Sequence, residues 1–310
     1  SVGGPVRQRV EEQNRQILQN FDAWIDQTGA EAGSLRSTGE AVSNALTAKA
    51  YKAKAEIKAA YNAARSRGDM AERIQTAELS GYLENHAAEA INAPVISSAA
   101  MKLERLAKSG TISINDLEEI RKMVGVLSGK DATNAHFGKE IKSLIDVMTE
   151  GKGGESYRNA RALRSRFADE FENHAVIDRL LSFKPGTKDR AVAYEDVFKH
   201  SILSGSLDDV RTVRKVLQTG GAEGQKAWSE LQGATLKHIK DEITKNVATN
   251  SMGERVLSPA RLNQLVTELD KDGKLDFIFG KQGAQQVRDV NGLAIDAFTA
   301  IPGAVNHSNT

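Results

Sequence analysis

Between Pro5 and Pro94 the chain runs for 88 residues without a proline, and only Pro185, Pro259 and Pro302 follow. Proline ends or kinks a helix because it lacks an N–H and clashes with the carbonyl one turn back, so its scarcity leaves long stretches free to coil. Forty of the 310 residues are alanine, the strongest helix former, and β-branched alternation is almost absent. The expectation is an all-α protein with about 70% helix, twice the usual share.

Periodicity divides that helix into parts. From about Val6 to Thr28, residues Val10, Asn14, Ile17, Phe21 and Trp24 step by 4, 3, 4 and 3, the rhythm of a heptad seam. A Gly- and Ser-containing turn is expected over 29–39, then a helix from about Glu40 to Arg67 in which Leu46, Ala50, Ala53, Ile57, Ala60 and Ala64 repeat the rhythm. Two such seams predict a long antiparallel, coiled-coil-like helical hairpin over 1–68. Residues 69–150 read as a small helical subdomain, with Pro94 in a first helical turn and Asn115-x-x-Glu118 as a capping box. The run EGKGGES (150–156) is either a flexible joint or a glycine-rich helix-to-helix turn. Residues 151–310 are expected to form a helical bundle. Its signals are a stripe of Tyr157, Ala160, Leu163, Phe167 and Phe171, a cap at Ser206-x-x-Asp209 and the Ser258-Pro259 helix start. The predicted whole is an elongated, multi-helix chain in three segments.

The charge balance of 42 basic against 41 acidic residues gives +1, which argues against a dedicated DNA-coating or membrane-surface protein, since both need a large field of one sign. Any basic patch must be local. With no cysteine there is no disulfide scaffold, no Cys-ligated metal and no thiol nucleophile. No window approaches the ~18 apolar residues of a membrane span, and the first 30 residues are too polar for a signal-peptide core. A chain opening on Ser1 rather than Met is expected of a fragment or a processed product.

Catalytic and metal-binding signals are weak. The six histidines, His86, His136, His174, His200, His238 and His307, form no HExxH. Asp270, Asp272 and Asp276 resemble a calcium loop, but the sixth and twelfth places hold Leu275 and Lys281 where Gly and Glu are required, so a helix end and turn are expected instead. EGKGGES lacks the GxxxxGK[ST] spacing, and GxSxG is absent. Glu170 and Glu172 are the acids to inspect for glycoside hydrolysis. The expectation is a chain that is not an enzyme and carries no cofactor, metal or small-molecule substrate.

Two basic stretches stand out. The second predicted helix carries Lys49, Lys52, Lys54, Lys58, Arg65 and Arg67 against Glu56, with Tyr51 and Tyr61 nearby; the other runs from Lys152 to Arg166 and includes Arg158, Arg161 and Arg164 against Glu155. Lys52, Lys54, Lys58, Arg65, Arg158, Arg161 and Arg164 are the candidate nucleic-acid contacts, positioned to touch phosphates without reading sequence. The competing reading is a solvated face whose acidic partners come from other helices.

Extended strings then point to a family. TEGKGGESYRNARALRSRFADEFENHAVIDRLL, DRAVAYEDVFKHSILSGSLDDVRTVRKVLQTGG, KLDFIFGKQGAQQVRDVN and the closing PGAVNHSNT resemble the internal virion, or DNA-ejection, proteins of short-tailed phages and proteobacterial prophages. The resemblance spans roughly 70–310 and is densest from about 150 onward. It implies a structural protein made in the host cytoplasm, packaged inside the virion, expelled through the tail, and assembled in the host envelope or periplasm to help genome delivery. Self-association, other virion proteins and the DNA backbone are the implied partners, with transient envelope contact. Some relatives in that family include a peptidoglycan-cleaving domain, whose motif is not visible here. A helical DNA-binding or adaptor module is the alternative, and a peptidoglycan-hydrolase fragment a more distant one.

Overall fold

The computed structural model describes residues 3–245, 247, 249, 253 and 256–299. The tail from 300, with His307 and the PGAVNHSNT string, lies outside the described residues. The chain is all-α, with one short two-stranded ribbon among the described residues. It divides into two compact units: Ser1–Lys49, Glu172–Phe183 and Asp189–Thr310 form the first, and Ala50–Phe171 with Lys184–Lys188 the second. These do not coincide with the three consecutive segments expected from the sequence.

In the first unit, α1 (Gly3–Gln27) packs on α10 (Gly221–Thr244) and α12 (Lys274–Thr299), with α11 (Pro259–Lys271) against α10 and α12. Ile17, Phe21 and Ile25 enter one core with Leu236, Ile239, Ile243, Leu262, Leu265, Val287 and Val290. The heptad stripe of α1 is therefore occupied within its own unit, and the expected hairpin with the next helix is not how its seam is covered. Apolar stripes specify a face but not a partner, and the partner here lies some 200 residues away. Asn14 is buried within the stripe, as its position predicts.

Helix α2 (Leu35–Ser66) starts earlier than the expected Glu40. Ser34 accepts the Ser37 N–H at 3.1 Å in the manner of an N-cap, and Gly39 is helical rather than part of a turn. The glycine has a packing reason: a Cβ there would lie 1.8 Å from the Tyr194 carbonyl oxygen. Helix α9 (Leu207–Gln218) opens on the full capping box foreseen at Ser206 and Asp209. The acids of the calcium-like run close on a guanidinium instead: Arg288 contacts Asp270 at 2.7 Å and Asp276 at 2.9 Å.

The second unit is built on α3 (Ala77–Asn85), α4 (Pro94–Leu106), α5 (Ile114–Ser128), α6 (Ala132–Thr149) and α7 (Glu155–Phe167), together with the latter part of α2. The strands β1 (Arg73–Gln75) and β2 (Thr111–Ser113) pair antiparallel, with Ile74 opposite Ile112 and both side chains buried. Leu79, Val95, Ile96, Leu117, Ile120, Val124, Ile141, Ile145 and Tyr157 share the core.

Two local expectations change in this unit. The cap of α5 is Ser113, whose hydroxyl accepts the Asp116 N–H at 3.1 Å, not Asn115. That leaves Glu118 free to turn inward. The EGKGGES run, read as a joint or turn, is a tied turn: Gly154 N–H donates to the Asp69 carbonyl at 2.9 Å, and Ser156 N–H to the Asp69 carboxylate at 2.9 Å. A Cβ at Gly154 would lie 2.2 Å from Asp69 Cγ, so this glycine permits the closeness of the cap.

Candidate nucleic-acid interface

The two basic stretches are separated by about 100 residues in sequence, yet both lie in the second unit and on neighbouring helices. Along α2 the contacts with α7 fall in reverse order: Lys54 Nζ sits 5.5 Å from the Phe167 ring centre, Tyr61 is edge-on to Tyr157 at 6.2 Å, and Arg67 donates to Ser156 Oγ at 2.7 Å. The helices therefore run antiparallel. Residues 50–67 carry five basic side chains against Glu56, and α7 carries four against Glu155. The pairing gathers nine cations on two neighbouring helices, and Glu118, Glu119 and Asp146 from α5 and α6 lie against Arg65 and Arg161 among them.

The seven candidate contacts separate into two groups. Lys52, Lys54, Lys58, Arg65 and Arg158 are exposed, and Arg161 and Arg164 half-buried. Lys54, Arg65, Arg161 and Arg164 have structural partners. Lys54 and Arg164 both sit 5.5 Å from the ring centre of Phe167, and Arg65 donates to Asn115 at 2.7 Å and Asn62 at 3.1 Å. Arg161 lies 2.7 Å from Asp146 and 3.6 Å from Glu118.

Arg161 belongs to an ionic network that sequence reading missed. Glu118 and Tyr157 are buried, and the Tyr157 hydroxyl donates to Glu118 Oε1 at 2.6 Å. Arg121 Nε lies 3.0 Å from Glu118 Oε2, and its Nη1 pairs with Asp146, which also receives Arg161. Two guanidinium groups thus face two carboxylates. Burial works against the charge of both Asp146 and Arg161, and the ion pairs outweigh it. Arg121 and Arg161 hold Asp146 below its ordinary value, while Tyr157, Asp146 and Glu118 hold Arg161 above its own. Burial, then the Glu118 charge, pushes Tyr61 up to about 12 and raises Tyr157 further. The one available signal was an acid at position 118 beside the inward Leu117 and Ile120.

A cleft of about 440 Å³ opens beside this network, between the end of α6 and α7, with Thr149, Lys152, Tyr157, Arg158 and Arg161 on its walls. Lys152 and Arg158 are exposed, so cations remain open to solvent next to the internally paired ones. Glu170 is half-buried and Glu172 exposed on the π-turn that follows α7. Among the described residues, no group of three or more His, Asp or Glu could hold a metal ion, and no helix is long and apolar enough to cross a membrane. No protein-family model, curated protein or solved structure matches the chain.

Proposed function

We propose that the chain is a non-enzymatic structural component of a short-tailed phage or prophage virion, one that accompanies the genome and touches its backbone during delivery. The family part of this reading rests on the extended strings between residues 150 and 310. The DNA-facing part rests on one observation: two cation-rich stretches, far apart in sequence, lie on adjacent antiparallel helices of a single unit. Lys52, Lys58 and Arg158 are the contacts of choice because they are exposed and stand apart from the contacts that engage the other four: Lys54 and Arg164 lie against the Phe167 ring, Arg65 on Asn62 and Asn115, and Arg161 on Asp146 and Glu118. Backbone contact of this kind supplies affinity through counterion release and no sequence readout.

Duplex DNA binding by fluorescence anisotropy, with two unrelated sequences over a salt series, tests the DNA-facing part. The expected result is equal affinity for both sequences and a log–log salt slope that falls by about 3 in the triple variant Lys52→Glu, Lys58→Glu, Arg158→Glu, one unit per lost phosphate contact. An unchanged slope in that variant, or a strong preference for one sequence, would reject it. Mass spectrometry of purified particles before and after triggered ejection tests the virion part: the chain should be present in filled particles and depleted from emptied ones.

A further inference from the structure

Within the first unit, the end of α1 meets α10 and α12 around a cleft of about 190 Å³. Nine residues line it, and none is ionisable. In a chain with 27% charged residues this is a distinct chemical setting. Two aromatic rings, Trp24 and Phe279, stand beside three carboxamides, Gln27, Gln232 and Gln286, and the Thr28 hydroxyl.

The fold fixes several of these groups. Trp24 is edge-on to Phe21 at 5.3 Å. Gln232 Nε2 donates to the Ile278 carbonyl at 2.7 Å, which orients the amide and leaves its Oε1 as an acceptor. Thr28 Oγ1 donates to the Ile25 carbonyl at 2.6 Å and accepts from Ala30 N–H at 3.1 Å. Helix α12 breaks at Gly280, where φ is 73° and ψ 167°, so Phe279 precedes the break and Gln286 follows it. Gly283 lies against the base of the Phe279 side chain, since a Cβ there would come 3.0 Å from Phe279 Cβ.

The lining narrows the ligand. A charged molecule would enter without a countercharge, and a wholly apolar one would strip water from three carboxamides without replacing their hydrogen bonds. A nucleotide would bring phosphate to a wall that offers no cation. A sugar ring suits both surfaces: its C–H face packs on an indole or phenyl ring, and its hydroxyls donate and accept as carboxamides do. Sites for drug-sized ligands measure about 300–1,000 Å³, so a space this small takes one ring. We infer that this cleft binds a single uncharged sugar ring, either free or at the end of a glycan.

Saturation-transfer NMR and calorimetry on the full chain test this, with the methyl pyranosides of glucose and N-acetylglucosamine, chitotetraose, and adenosine as the comparator. At least one glycoside is expected to bind saturably, with adenosine weaker. Trp24→Ala and the exposed-site variant Gln286→Leu should each weaken binding about tenfold, a loss of about 1.4 kcal/mol. Gln286→Leu carries the test if circular dichroism shows Trp24→Ala misfolded. Equal affinity for chitotetraose and the single glycoside identifies a free ring as the ligand, and tighter binding of chitotetraose identifies a glycan end. The inference fails if no glycoside saturates, if adenosine is preferred, or if Gln286→Leu, correctly folded, binds as the parent does.

Discussion

The Tyr157 hydroxyl donates to Glu118 Oε1 across 2.6 Å, joining α7 to α5 at a point where both side chains are buried. The carboxylate's remaining partners are guanidinium groups, so the phenol is its uncharged donor. Removing that donor with Tyr157→Phe should cost about 1–3 kcal/mol, the usual penalty for leaving a buried acceptor short of a partner. Urea denaturation at neutral pH measures it, and an unchanged midpoint would show the bond to be dispensable.

The same pair sets an alkaline limit. Tyr61 and Tyr157 both have folded values above their ordinary 10.0, caused first by burial and then by Glu118. A raised folded value means that the contribution is complete below about pH 10 and is lost as pH rises through the folded value, about 12 for Tyr61. Stability of the second unit should therefore decline above about pH 10, with less decline in Tyr157→Phe. Denaturation midpoints on both sides of that pH provide the measurement.

Arg161 and Arg158 lie three residues apart on α7 but should behave differently. Arg161→Ala leaves Asp146 and Glu118 with one cation fewer in a partly buried network, and a loss of about 1–3 kcal/mol is expected. Arg158→Ala, at an exposed position, should stay within about 0.5 kcal/mol of the parent while weakening DNA binding. Equal stability losses in the two variants would contradict the division between structural and free cations.

Two helical glycines make opposite predictions. Gly39→Ala would force a Cβ to 1.8 Å from the Tyr194 carbonyl oxygen, a backbone atom, and overpacking of this kind costs about 1–3 kcal/mol or more. Gly81, inside α3, has nothing within 4 Å of the same atom. Gly81→Ala should instead stabilise by about 0.5–1 kcal/mol through helix propensity. Thermal melts of the two variants should shift in opposite directions.

Phe21 is fully buried in the core of the first unit. Phe21→Ala is expected to cost about 3–5 kcal/mol, and deletion of α1 should unfold that unit rather than release a stable remainder. A cooperative melt of the deletion variant at the parent's midpoint would show that α1 is only docked.

Much of this fold was legible in the sequence where the signal was local. Ser206 with Asp209, and Pro94 and Pro259 near helix starts, marked helix beginnings because each acts through its own backbone within one turn. The stripe from Tyr157 to Phe171 correctly named an inward face. Partner choice was not legible: the α1 stripe suited any apolar groove, and α10 with α12 supplied it. Glycine misled in a similar way. Gly39 and Gly154 read as breaks, but each allows another part of the chain to approach closely, and that neighbour is invisible in a linear reading. The exposed candidates Lys52, Lys58 and Arg158 and the engaged Arg161 also look alike in sequence, since the acids that distinguish them arrive from α5 and α6.

The Asp69 cap on α7 has a consequence for when the two cation-rich stretches come together at all. Helix α7 has its start fixed only when the segment around residue 69 has come back to meet it, so the two cation-rich stretches become neighbours only after the intervening chain has closed. In an extended or half-made polypeptide those charges are strung out and diluted. If the proposed contacts with the DNA backbone are made, affinity for a polyanion would report completed folding, switching on with closure and off with unravelling.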